Sequence, residues 1–268
     1  MLIDAHTHAF SEKIAEKAVE QLINYYQLPT SNGGSLPELL AHAAKARLDA
    51  LLLLVAATKA EQVRPAHDWI LAQPWRTFPG CPRIIPFGTY HIDDPHWQRE
   101  IARLRDAGII RGIKLHPEFQ GIDLADPRLH PLLEEIAGDF VLMVHVGDPR
   151  VTDNNFSTPR KVAALLDLFP RLTIIAAHLG GYCFWEEACE VLAGREIYLD
   201  TSSAVQFIDP ALLRRLVDKH GTERILCGSD YPLSSPLAAL QAIERLPWLN
   251  ATQKAAIMGE NCAQLFGL

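Results

Sequence analysis

Eight short apolar runs, rich in Leu, Ile and Val, recur along the chain, and helical patterning separates them. The runs cover residues 2–5, 50–56, 83–89, 109–115, 140–146, 172–177, 197–201 and 225–228. Strands that alternate with helices imply βαβ units and a parallel sheet, since a parallel partner is reached only by a crossover. Runs as uniformly apolar as Leu51-Leu52-Leu53-Leu54-Val55 suit strands covered on both faces. Eight such units in 268 residues favour closure into a (β/α)8 TIM barrel, with a doubly wound open sheet as the competing arrangement. Helices are expected over residues 95–107, 129–137, 159–168, 186–192, 210–219 and 236–245, and a last helix over roughly 252–265 closes the chain. Ser35-Leu36-Pro37-Glu38 has the form of a capping box with proline in the first turn of a further helix.

The hydrophobic share, 49%, is enough for one large core, and no repeat, linker or low-complexity tract divides residues 1–268. A formal net charge of −7 argues against a nucleic-acid partner, which calls for a basic patch. It leaves an anionic small-molecule substrate open, because local fields can oppose the net charge. No targeting segment stands out, and the strongest apolar stretch, residues 50–57, is too short to span a bilayer. The cysteines number five, with no C-x-x-C spacing, and read as reduced thiols. The expectation is a cytoplasmic protein away from membranes, with self-association left open.

Polar residues collect where the apolar runs end. His6-Thr7-His8 closes the first run, and side chains at i and i+2 share one strand face. His145 ends the fifth run, His178 the sixth and Asp230 the eighth. In a barrel these positions fall on the C-terminal face, where such folds carry their active sites. Imidazoles and a carboxylate gathered there suit one divalent transition ion, with zinc the default and manganese or iron the alternatives. Lys114 and His116 also share a face and point at substrate on this reading. Arg150 offers a planar fork for a substrate carboxylate, and Tyr182, Phe184 and Trp185 offer walls. Asp200, Ser202 and Ser203 sit where supporting groups would stand, and His91 follows the third run. His42, His67, His96, His130 and His220 read as ordinary surface residues. No G-x-G-x-x-G, P-loop or G-x-S-x-G is present to suggest other chemistry.

Five of these segments together resemble the amidohydrolase superfamily: Ile3-Asp4-Ala5-His6-Thr7-His8, Gly112-Ile113-Lys114-Leu115-His116-Pro117, the strand-end His145, Ala177-His178-Leu179-Gly180-Gly181 and Gly228-Ser229-Asp230-Tyr231-Pro232. The nearest branch is the amidohydrolase-related group that includes aminocarboxymuconate-semialdehyde decarboxylase, whose usual ending is similar to residues 260–267. The resemblance implies His6, His8, His145 and Asp230 as metal ligands, with Asp230 also taking a proton from the metal-activated water. It implies His178 as a hydrogen-bond partner of the reacting oxygen, and an unmodified Lys114 beside a single ion. The leading expectation is therefore a metal-dependent hydrolase acting on a small amide, lactone or ester. Decarboxylation of a small carboxylic acid on the same site is the alternative, and a non-catalytic ligand-binding barrel is the third.

Overall fold

The structure, a computed structural model, describes residues 1–73, 81–152 and 154–268. In chain order the elements are β1 (Ile3–His8), α1 (Glu12–Tyr26), α2 (Leu36–Ala46), β2 (Ala50–Leu54), α3 (Val63–Leu71), β3 (Arg83–Thr89), α4 (Trp97–Ala107), β4 (Gly112–Leu115), α5 (Pro117–Gln120) and α6 (His130–Ile136). They continue with β5 (Val141–Val144), α7 (Pro159–Leu168), β6 (Ile174–Ala176), α8 (Trp185–Val191), β7 (Tyr198–Asp200), α9 (Pro210–His220), β8 (Ile225–Leu226), α10 (Pro236–Glu244), α11 (Ala251–Ala255) and α12 (Asn261–Phe266). The eight strands form one parallel sheet in sequential order. Hydrogen bonds from Ala5 N to Cys227 O (2.7 Å), His8 N to Tyr231 O (2.8 Å) and Asp230 N to His6 O (2.8 Å) bring the last strand back to the first. The fold is thus the expected TIM barrel rather than an open sheet.

Two apolar layers hold it. The larger lies between the strands and the surrounding helices, including Leu51, Leu53, Ile113, Val144 and Leu199. The smaller fills the barrel with Ile3, Ala5, Leu52, Phe87, Met143, Ile175 and Leu226. Cys262 and Phe266 of α12 join that inner layer and plug its N-terminal end.

Several expectations change in detail. Helices α1 and α3 were not foreseen, and β1 runs three residues further than the apolar pattern implied, to His8. The closing helix is broken by a wide turn over Ala256–Glu260. There a Cβ on Gly259 would stand 2.3 Å from the carbonyl of Met1, so only glycine lets the two backbones pass. Ser35 does cap α2 by accepting from Glu38 N, but the reciprocal half of the box is missing. The Glu38 carboxylate instead accepts from Gly33 N at 2.8 Å. His67 and His220 are buried, not surface residues. His67 Nδ1 pairs with Glu100 at 2.8 Å and its Nε2 meets Thr89 N at 3.1 Å, tying α3 and α4 to β3. No helix among the described residues is long and apolar enough to cross a membrane.

Candidate metal centre

The geometry of His6 and His8 depends on an irregularity in β1. Ile3 pairs with Ala50 and Asp4 with Leu51, but Thr7 pairs with Leu53, so β1 carries one extra residue. Strict alternation from the inward Ile3 and Ala5 would turn His6 and His8 away from the barrel. The bulge resets the phase and aims both at the mouth. Asp4 holds the bulge, its Oδ1 accepting from His6 N (3.1 Å) and Ser229 N (2.9 Å).

Each ring is then fixed from behind. His6 Nδ1 lies 2.9 Å from Asp200 Oδ2, and His8 Nδ1 lies 3.1 Å from the carbonyl of Leu54. Both partners accept hydrogen bonds, so both rings carry their proton on Nδ1 and present a bare Nε2. Those Nε2 atoms face each other at 3.2 Å, and Asp230 Oδ1 stands 3.5 Å from the first and 3.8 Å from the second. Three lone-pair donors converge with no proton assigned between the imidazoles. An ion about 2.0–2.2 Å from its ligands sets them roughly 2.9–3.5 Å apart, so the residues present fit a divalent cation. His6, His8 and Asp230 form one of two candidate clusters, the other being His6, His178 and Asp200.

His145 lies outside both clusters. Its Nε2 is 3.0 Å from the carbonyl of Gly147, which makes that nitrogen the donor and leaves Nδ1 bare. Nδ1 faces His178 Nε2 at 2.9 Å, while His178 Nδ1 is 2.9 Å from the carbonyl of Ser202. By the same partner logic His178 Nε2 is bare. The opposed lone pairs of His6 and His8 therefore recur between His145 and His178, and each pair calls for a shared proton or a cation.

Lys114 is fully buried rather than a solvated barrel-end lysine, with Nζ 3.3 Å from His6 Nε2. Burial lowers its pKa to about 8, against the pull of Asp200 and Asp230. Burial also depresses His8, to about 3, and holds His116, His145 and His178 below the ordinary value. Neutral imidazole is the form that binds metal. The carboxylates go the other way. Burial would raise Asp200 and Asp230, but His6 and its neighbours outweigh it. Asp200 falls to about 2 and Asp230 well below the carboxylate range. Ser203 Oγ donates to Asp230 Oδ2 at 2.6 Å, and Ser202 Oγ donates to Asp200 Oδ1.

The backbone at the strand ends is unusual. His178 (φ 61°), Leu179 (φ 56°), Ser203 (φ 45°) and Asp230 (φ 61°) are all left-handed without being glycine. Each such residue costs of order 1–3 kcal/mol, and such costs gather at functional sites.

A small pocket of about 110 Å³ opens beside these groups, walled by Phe10, Leu22, Tyr26, Phe119 and Leu233 and floored by His8, His116, His145 and Asp230. His116 is stacked between Phe119 and His145, each ring centroid 3.9 Å away. Tyr182 lines a narrow extension with Tyr26, His178 and Asp230. Arg150 does not reach the pocket. It is largely exposed, pairs with Asp148 at 3.3 Å and covers the Tyr25 ring at 4.8 Å. His91 is buried, and its Nδ1 accepts from Asp93 N. Trp185 starts α8 and donates to the carbonyl of His178 at 3.0 Å. The larger concavity, about 540 Å³ and lined by Leu166, Arg171, Arg195 and Arg224, lies at the N-terminal ends of β6–β8, away from the histidines.

Tyr26 and the other pocket walls, Phe10, Leu22, Phe119 and Leu233, were missed by sequence reasoning. Tyr26 belongs to α1, whose spacing Ala15, Val19, Leu22, Tyr26 is helical and marks the face over the barrel.

Fold and rim together define a TIM barrel with a cation-ready cluster of histidines and carboxylates on its C-terminal face. The chain belongs to the amidohydrolase family, whose model matches residues 3–268. No significant match was found among curated proteins. Among solved structures it is similar to the 5-carboxyvanillate decarboxylase LigW from Sphingomonas paucimobilis (20% identity, TM-score 0.72, covering 100% of this chain and 99% of that one). A second 5-carboxyvanillate decarboxylase, from Novosphingobium aromaticivorans, is 16% identical with TM-score 0.69 over 100% of this chain and 97% of its own. That structure holds manganese and 3-methoxy-4-hydroxy-5-nitrobenzoic acid. A protein provisionally called a 2-pyrone-4,6-dicarboxylic acid hydrolase, from Pseudomonas putida, is 20% identical with TM-score 0.65 over 99% of this chain and 97% of its own. At these identities the likeness concerns the fold.

Proposed function

We propose that this chain is a metal-dependent enzyme that removes CO₂ from a small, planar carboxylic acid. His6, His8 and Asp230 would hold one divalent ion, zinc or manganese, while His145, expected from the sequence as a fourth ligand, stands outside that cluster. The observation that carries the reading is the convergence of His6 Nε2, His8 Nε2 and Asp230 Oδ1 beside a narrow, aromatic-walled pocket. When bound, the ion supplies a fixed positive charge that holds and polarises substrate oxygens.

The rest falls to the chain's own groups. Phe10, Tyr26 and Phe119 favour a flat ring. The largely apolar walls keep water from the carboxylate, which promotes its loss as neutral CO₂. Lys114, buried with Nζ 3.3 Å from His6 Nε2, would offer its amine to the acid as a hydrogen-bond donor. Asp230 is ionised, so it takes up a proton from solvent or substrate and returns it to the carbon that CO₂ leaves. The balance is one carboxylate and one proton in, one C–H bond and one CO₂ out. The two decarboxylases of like fold support this choice over the hydrolysis expected from the sequence.

Hydrolysis of a small lactone, amide or ester is the second reading. An ionised Asp230 at the rim is equally suited to take a proton from attacking water, and the provisional pyrone hydrolase shares the fold. The test is to load the protein with manganese or zinc and offer hydroxybenzoates alongside pyrones and simple lactones. CO₂ release from an aromatic acid, stopped by a chelator, is the expected result. Ring opening without CO₂ selects hydrolysis. Tight binding of either class without turnover points to a ligand-binding barrel.

A further inference from the structure

The last turn of α1 sets Tyr26 over the strand ends. Its Oη lies 3.1 Å from His116 Nε2 and 3.4 Å from His145 Nε2. The partners of both rings decide how those contacts run. His116 Nδ1 accepts from Phe119 N at 3.4 Å, so the ring's proton is on Nε2 and is donated to Tyr26. His145 Nε2 is also a donor, engaged with the carbonyl of Gly147 at 3.0 Å. Tyr26 Oη is therefore an acceptor towards the protein, and its own proton has no acceptor among the described residues. The hydroxyl belongs to a side chain that lines both the main pocket and its extension, beside Asp230 in each.

The neighbouring residue fixes the height of this turn. Tyr25 Oη donates to Asp148 Oδ2 and accepts from Arg150 Nη2 at 2.6 Å. Asp148 and Arg150 lie in the loop after β5, close behind His145. The pair thus clamps α1 to the strand that carries His145, leaving Tyr26 little freedom to withdraw. Tyr182 meets Tyr26 edge-on, with ring centroids 6.0 Å apart.

We propose that Tyr26 is a substrate-binding, specificity-determining residue. Its free hydroxyl proton selects substrates that carry a phenolate oxygen on the ring edge facing α1. His116 is the positioning residue that orients the hydroxyl by donating to it. This rests on the reading that the pocket takes a planar acid.

The test compares two probes on manganese-loaded protein: 4-hydroxy-3-nitrobenzoate and 3-nitrobenzoate, which differ only in the hydroxyl. Affinities are measured for the wild type and for Tyr26→Phe, with metal content and melting temperature taken on the same preparations. A hydrogen bond to a charged acceptor is worth roughly tenfold or more in affinity. The variant is expected to keep its metal and its fold, to lose about tenfold or more for the hydroxylated probe and to lose little for the other. Bound to the wild type, the nitrophenol is expected to absorb as phenolate at a lower pH than when bound to the variant. Equal affinities of the two proteins for the hydroxylated probe would overturn the role of Tyr26 while leaving the pocket reading intact. Failure of the wild type to bind either probe would overturn both.

Discussion

At the N-terminal end of the barrel, the side chains of Ile3, Ala5, Leu52, Phe87 and Leu226 close on those of Cys262 and Phe266 in one apolar cluster. At the C-terminal end the same strands carry His6, His8, Lys114, His145, His178, Asp200 and Asp230, nearly all buried. The lower end meets a demand for volume, which many side chains satisfy. The upper end meets a demand for orientation, and there almost every polar atom has one named partner. Asp200 orients His6, the carbonyl of Leu54 orients His8, and Ser203 orients Asp230. Left-handed non-glycine residues gather at that end too, at His178, Ser203 and Asp230. The strands and their surrounding helices thus form a rigid frame, with the chemistry gathered at one end.

The largest effect is expected at Asp230. Asp230→Asn keeps the shape and one oxygen aimed at His6 and His8 but removes the base. We expect normal folding, most of the metal retained and a loss of about a hundredfold or more in turnover. Metal content and rate measured on one preparation decide it, and near wild-type turnover with bound metal would shift the proton-transfer role to His178. At the opposite end, Phe266 is 2% exposed and packs edge-on against Phe87 at 6.0 Å. Phe266→Ala is expected to cost about 3–5 kcal/mol of stability, with metal affinity unchanged in the folded fraction. Denaturant unfolding and a metal titration separate the two, and lost affinity with unchanged stability would mean the ends are not independent.

Asp4 stands between the two regions and sharpens the boundary. Its Oδ1 accepts two backbone N–H groups, but its buried Oδ2 has no partner among the described residues. Burial raises its pKa from 3.8 to about 6 despite those hydrogen bonds. The folded state thus favours the protonated acid, a contribution full below the unfolded pKa and lost as pH rises through about 6. Asp4→Asn keeps the oxygen that holds the bulge and removes the buried charge. It is expected to be more stable than the wild type at pH 7.5, by on the order of 3 kcal/mol, with the gap closing as pH falls toward 4. Melting curves across that range check it, and a pH-independent gap would assign the effect to packing.

The strands were legible because their apolar runs are long and uniform, and the strand-end His145, His178 and Asp230 followed from them. The shared face of His6 and His8 was legible too. What aims that face at the mouth, the bulge held by Asp4, was not, since the run of residues 2–5 is too short to set an alternation against which a one-residue phase shift would show. Helix α1 escaped notice because its buried face begins with small residues, Ala15 and Val19, amid charged neighbours. With it went Tyr26. Arg150 was expected at the substrate, but Asp148 two residues earlier and Tyr25 across the loop hold it outside. Such long-range partners are invisible along the chain. His67 looked like a surface helix residue because its acceptor, Glu100, lies 33 positions away.

On the proposed function, the bare Nε2 atoms of His6 and His8 and Oδ1 of Asp230 together hold an ion. A crystal structure of the zinc- or manganese-loaded protein, with elemental analysis of the same sample, tests it directly. About one ion per chain is expected, within about 2.0–2.3 Å of those three atoms, and it is expected to be lost in the His6→Ala, His8→Ala double variant. An ion bound elsewhere, or full occupancy in the double variant, would contradict it.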